Sequence, residues 1–397
     1  MKNIAEKIFK GLLVAAILAL PLYLIRFKIG PLPSTLLEVL IIATTIAALA
    51  TGQFRKIKNR RALLLGGAFA AAGLIAALFD PDKIRGLGLW KAYFLDGFLL
   101  FAAVLSVVEG KTRDWLMRAL IGTGVIAALG ALYFFYVHNI SDESGRLLDL
   151  DRLSPNYLAM FLAPILAVVL ALIRLRIGTA KNYFYLAAAG LVLMVALILT
   201  NSRGALLSLA VVLLVIIFDI SAQGRFRRPA KIAFWSLMVL MLLGAAWYFR
   251  PDWQNHERKA TSSNVRYYIW QTSLTIAGQR PIFGVGLGNY QDYFWELTKN
   301  RVNFPEYIAP QALTAHDLYL HLYVTGGILL LVTFLGLIWG THFWQPKNLA
   351  AAAALTAILV FGLVDTPFFR NDLSGLFWVV VAMLYLNNSK IKNQNAK

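Results

Sequence analysis

The sequence predicts an all-α, polytopic integral membrane protein, and three observations carry that prediction. Of its 397 residues, 59% are hydrophobic and only 15% charged, where a soluble domain would carry roughly 25% charged residues. The mean hydropathy is +0.65. The apolar residues come in runs near the ~20 residues needed to cross ~30 Å of hydrocarbon; a membrane β-barrel would show short alternating segments instead.

Taken in order, about twelve transmembrane helices are expected: 12–25, 35–52, 62–79, 92–108, 115–137, 157–173, 183–200, 204–220, 232–248, 318–339, 349–364 and 373–386. The basic stretch before the first run resembles a signal peptide. It lacks a small-residue cleavage site followed by a polar chain, so it reads as an uncleaved span. The whole chain, 1–397, reads as a single membrane domain. A long loop, 249–315, is inserted between helices 9 and 10 and is expected to contain helices of its own.

Alternate connections are strongly basic: Arg55 to Arg61, Lys111 to Arg118, Arg174 to Lys181, Arg225 to Lys231 and Lys390 to Lys397. That side holds 22 Lys and Arg, against 9 in the short loops opposite. The positive-inside rule makes the basic side the cytoplasm and puts both termini there. The formal net charge of +18 is therefore topological and does not imply nucleic acid. There is no cysteine, which excludes disulfides, thiolate metal sites and cysteine nucleophiles. No internal repeat is visible, which argues against many transporter architectures.

The outer side carries the chemistry-bearing residues. Arg203 joins two spans across the turn Asn201-Ser202, and its guanidinium matches phosphate oxygens. The other reading is a snorkelling arginine or a structural pair with a carboxylate. Arg266 lies in an amphipathic segment inside the long loop, whose Tyr and Trp suit the membrane interface. That helix is expected to stop before Arg280-Pro281. The alternate glycines Gly284, Gly286 and Gly288 predict a tight turn or close backbone approach; without a βαβ unit they are not a dinucleotide fingerprint. His316 opens an apolar helix, as a general base or as a polar cap. Asp365 ends a span at the same outer level, placed to orient the imidazole or to pair with an arginine. His316, His321 and His342 lack metal-ligand spacing, so no metal and no cofactor is expected. Glu38 and Asp96 lie near outer span ends, where they would balance nearby cations or touch an acceptor.

At these residues the chain resembles the O-antigen ligase and O-antigen polymerase family of bacterial envelope glycosyltransferases. The resemblance rests on four pieces in order: Asn201-Ser202-Arg203-Gly204 with Leu207; Arg266 and Trp270; Pro281 with Gly284-Val285-Gly286; and His316 followed by Gly327. The upstream stretch Ser154-Pro155-Asn156 is also similar. Asp317 and Leu330 depart from the ligase pattern, so ligase and polymerase both stay open. The resemblance implies a GT-C-like membrane glycosyltransferase in the bacterial inner membrane. It implies an undecaprenyl-diphosphate-linked glycan donor, with lipid A-core as the acceptor of a ligase, or another carrier-linked repeat as the acceptor of a polymerase. Arg203 and Arg266 would stabilise the diphosphate on the periplasmic side, His316 would take the acceptor proton, and Asp365 would hold its tautomer, with inversion at the anomeric carbon and no metal.

Overall fold

The computed structural model describes residues 2–29, 32–107, 110–175, 180–222, 236, 262–301, 304–305, 308–343 and 348–386. Its helices are α1 (Lys2–Leu18), α2 (Leu36–Ala50), α3 (Arg60–Leu78), α4 (Lys83–Trp90), α5 (Asp96–Leu105), α6 (Gly110–Val137), α7 (Pro155–Arg174), α8 (Ala180–Leu199) and α9 (Arg203–Ala222). After the long loop begins come α10 (Ser262–Gln279), α11 (Tyr290–Thr298), α12 (Leu318–Gly340), α13 (Leu349–Phe361) and α14 (Asn371–Tyr385). A π-helical turn, Lys91–Leu95, joins α4 to α5.

Eleven of the twelve expected spans fall on these helices; the twelfth, 232–248, lies outside the described residues except for residue 236, as does 249–261 of the long loop. Among the described residues, six helices are long and apolar enough to cross a membrane: α3, the α4–α5 run, α6, α7, α8 and α12. The apolar helices α2, α9, α13 and α14 are shorter. In lipid a helix satisfies its own backbone polar groups, which is why this composition resolves into helices.

Side-chain caps set where several helices begin. Thr35 accepts from Glu38 N, Asn59 from Ala62 N, Asp317 from Leu320 N and Asn348 from Ala351 N. Each satisfies one of the N–H groups that a first turn leaves without a partner. Ser154 caps α7 with Pro155 in its first turn, a position where the missing N–H costs nothing.

One element departs from the all-α expectation. Arg26–Ile29 (β1) pairs antiparallel with Leu32–Thr35 (β2), with Arg26 opposite Thr35 and Phe27 opposite Ser34. The alternation Arg26-Phe27-Lys28-Ile29 has the period of a strand, not of a helix. The span expected at 12–25 accordingly starts earlier and ends as a 3-10 turn, Leu20–Leu24.

The connections cluster at two ends. At one end, Tyr23 donates to Asp151, Leu147 N to Leu199 O, and Leu318 N to Gly362 O. Arg370 bonds both Asp149 and Asp372 there, and Arg85 pairs with Asp292. At the other end, Lys56 pairs with Glu6 at 3.3 Å. The main core holds an aromatic cluster of Phe69, Phe94, Phe334, Phe368, Phe377 and Trp378.

The described part of the long loop packs around a second, smaller core that includes Val265, Ile269, Ile276, Tyr290, Phe294 and Ala315, and it docks on α12. The docking uses a break in α12 at Gly327, whose φ is +66°. There Val285 N donates to Val324 O at 2.9 Å, Gly286 N to Thr325 O at 3.1 Å, and Ile328 N to Pro281 O at 2.8 Å. The segment 281–286 thus takes up backbone groups that the broken helix releases. A Cβ on Gly327 would lie 2.0 Å from Ile282 O, and one on Gly284 2.4 Å from the Thr325 carbonyl carbon. The close approach expected of the glycine motif is met, and its partner is the helix that His316 opens.

Candidate active site

Asp365 is the centre of the site. It follows α13 on the short connector to α14 and is 4% exposed. Its Oδ1 lies 3.4 Å from Nδ1 of His316 and accepts from Thr366 N at 3.0 Å. Its Oδ2 accepts from Asn156 Nδ2 at 3.2 Å and lies 3.9 Å from an Nη of Arg266. Burial alone would raise this carboxyl. The His316 hydrogen bond and charge, the Arg266 charge and the Thr366 N–H outweigh it, and the group sits below its ordinary range.

His316 is held by its backbone as well as by its ring. Its φ is +48°, an uncommon conformation for a side-chain-bearing residue. The preceding N–H, of Ala315, donates to Nδ1 of His321 at 3.2 Å. Trp270 Nε1 donates to the His316 carbonyl at 3.4 Å. Asp317 then caps α12 through Leu320 N at 2.7 Å. Both ring nitrogens face oxygen: Nδ1 faces Asp365, and Nε2 lies 3.2 Å from Gln311 O. A neutral imidazole donates from only one nitrogen. If Nδ1 keeps its proton on Asp365, Nε2 carries the lone pair and must turn from Gln311 O to accept a proton.

Arg266 lies on α10, and the helix ends at Gln279, before Arg280-Pro281 as the proline requires. Its Nε donates to Val364 O at 3.0 Å. Burial lowers this guanidinium below its ordinary value; Asp365 opposes that and the Arg203 charge adds to it. It remains a cation at any working pH. Of the Tyr and Trp side chains around it, Tyr268 and Trp270 pack, half-buried, on the second core.

Arg203 is exposed at the first turn of α9, reached from α8 through Asn201, whose φ is +47°. The next residue, Gly204, lets α9 approach α13: a Cβ there would lie 2.8 Å from Phe361 and 3.0 Å from Val364. Arg203 is therefore anchored beside the residue whose carbonyl receives Arg266. Of the four side chains singled out in the sequence, His316 and Arg266 meet Asp365 on the α13–α14 connector, and Arg203 stands near enough for its charge to act on Arg266.

Sequence reasoning missed three neighbours. His321 packs edge-on against Tyr290 and Phe369 and accepts from the backbone just before His316; its spacing of five from His316 gave no hint. Gln311 carried no signal. Asn156 was visible only as part of the Ser154-Pro155-Asn156 stretch, 209 residues from the carboxylate that it bonds. Glu38 balances Lys91 at 2.8 Å and accepts from Ser34. His342 lies beyond the far end of α12. Among the described residues, no three His, Asp or Glu side chains gather as a metal ligand set.

No curated protein matches the chain. Residues 186–335, which run from α8 into α12 and include Arg203, Arg266 and His316, match the family model described as O-antigen ligase. That match covers the middle of the chain and supports an O-antigen ligase or polymerase family assignment.

Proposed function

We propose that the protein transfers an O-antigen glycan from undecaprenyl diphosphate to lipid A-core at the periplasmic face of the bacterial inner membrane. The observation that carries this reading is one buried carboxylate, Asp365, shared between an imidazole and a guanidinium, with a second arginine on the adjoining helix. That set combines a base with fixed cations, which is what displacement of a diphosphate needs.

In the reaction, the acceptor hydroxyl gives its proton to Nε2 of His316. Its oxygen attacks the anomeric carbon from the face opposite the diphosphate. The bond from that carbon to the diphosphate oxygen breaks, and its electron pair leaves with undecaprenyl diphosphate. Arg203 and Arg266 stabilise the charge that develops on the leaving group, in place of a metal ion. Asp365 holds the Nδ1 proton and stabilises the imidazolium that forms. Direct displacement inverts the anomeric configuration.

The test is reconstitution of the purified protein with undecaprenyl-diphosphate glycan and lipid A-core, with products read by gel and mass spectrometry. Glycan joined to lipid A-core with inverted configuration supports the proposal. Longer carrier-linked chains in the same tube would make the protein a polymerase. His316→Ala should abolish transfer while membrane insertion stays normal, and activity should persist in excess EDTA.

A further inference from the structure

A cleft of about 590 Å³ opens between the β1–β2 hairpin, the start of α2 and the α4–π segment. That volume is in the range of small-molecule sites. Four cations line it, Arg26, Lys28, Arg85 and Lys91, against one carboxylate, Glu38. Three of the cations are braced by acids: Arg26 by Asp151 at 3.2 Å, Arg85 by Asp292 at 2.7 Å and Lys91 by Glu38 at 2.8 Å. Only Glu38 among these acids lines the cleft, so positive charge leads at its wall. Lys28 is exposed and makes no ion pair among the described residues.

Bracing matters because a held cation loses little side-chain freedom when an anion arrives. Arg85 is further fixed from behind, where Gly288 packs on its stem and Gly288 N donates to Asp80. The π-helical turn begins at Lys91, and such turns recur at functional sites. Beside the cations stand exposed apolar side chains: Ile84 is 88% exposed, Ile25 50% and Phe27 38%. Alternation of cations and apolar groups at the end of a helical bundle matches the boundary between headgroups and acyl chains.

The cleft adjoins the active site through one connector. Asn371 is in its lining, next to Arg370, and the same connector begins at Asp365. We propose that this cleft binds the phosphate-bearing headgroup of the acceptor lipid while Arg203 and Arg266 hold the donor diphosphate. This rests on the transferase reading, in which two amphiphiles must meet at His316. Phosphate is the anion that a set of Arg and Lys donors at a membrane surface recognises best.

The test uses the full chain in phosphatidylcholine nanodiscs, with no donor present. Equilibrium binding is measured for lipid A-core, for the same lipid with its phosphates removed, for phosphatidylglycerol and for undecaprenyl diphosphate. The wild type should prefer the phosphorylated lipid A-core by about tenfold or more, the scale of one charged hydrogen bond. Lys28→Glu and Arg85→Gln should each erase most of that preference, Lys28→Arg should keep it, and undecaprenyl diphosphate binding should not change. Lys28 is exposed, so its replacement is compatible with folding. A preference that survives both substitutions overturns the proposal. So does an equal loss for phosphatidylglycerol, which would mark a general acidic-lipid surface, or a parallel fall in undecaprenyl diphosphate binding. A missing transfer product counts against the ligase reading; a missing phosphate preference counts against the cleft.

Discussion

The carboxylate of Asp365 lies 3.4 Å from Nδ1 of His316 across 49 residues of sequence, where the α13–α14 connector meets the residues that lead into α12. Its second oxygen bonds Asn156 and faces Arg266. One carboxylate therefore sets the orientation of the base and of one of the cations.

Asp365→Asn should separate orientation from bulk. The amide keeps the size but offers a donor where the imidazole N–H needs an acceptor. Glycan transfer should fall by about 10²- to 10⁴-fold, the usual scale for a disabled acid–base partner. Turnover at saturating donor and acceptor checks this, with expression and melting temperature as controls. Turnover within a few-fold of wild type would remove Asp365 from the mechanism.

The two arginines should behave differently. Arg203 is exposed, so Arg203→Lys should reduce kcat by about 10²- to 10³-fold, as loss of a matched donor does, and leave the melting temperature near that of wild type. Arg266 is buried on Val364 O and Asp365. Arg266→Ala should lose activity and also about 1–3 kcal/mol of stability, because it strands buried acceptors. Equal melting temperatures for the two variants would contradict the assignment of Arg266 to both roles.

Gly327→Ala should be structurally severe although the residue is far from the reacting atoms. It places a methyl 2.0 Å from Ile282 O at a φ of +66°. The cost should exceed the ~1 kcal/mol typical of an Ala forced into that region, and segment 281–286 should lose its hydrogen-bonded hold on α12. Faster amide exchange at Val285 and Gly286 is the readout; unchanged exchange would show that the break in α12 does not secure the loop.

Asp317 should make stability depend on pH. Burial raises its carboxyl to about 6, against the opposing N–H groups of Leu320 and Tyr319. A raised folded pKa contributes stability that is fully present below the unfolded value, near ~3.9, and is lost as pH rises through the folded value. Asp365 has the opposite sign: its lowered pKa contributes stability that is present above ~3.9 and lost as pH falls through the folded value. Asp317→Asn, which preserves a good N-cap, should therefore gain on wild type in thermal melts between about pH 4 and 6. Melting curves that stay parallel across that window would rule out the Asp317 contribution.

Much of this protein was legible in one dimension. Apolar runs near membrane length determined eleven of the helices among the described residues and their order, because hydrophobic length is a local property of the chain. Arg203, His316 and Asp365 stood out for a related reason: ionisable groups at span ends are few and costly; Arg266 stood out within the long loop. The β1–β2 hairpin was hidden because four residues of alternation are too short to stand against flanking apolar runs. Only the tertiary structure decided that His316, Asp365 and Arg266 meet. Asn156, Gln311 and His321 reach the site through contacts whose partners lie elsewhere in the chain, and a hydrogen bond between residues 156 and 365 leaves no periodic trace. The break at Gly327 is of the same kind. A glycine in an apolar helix is ordinary by itself, and it becomes a docking point only when segment 281–286 supplies the backbone groups that the broken helix lacks.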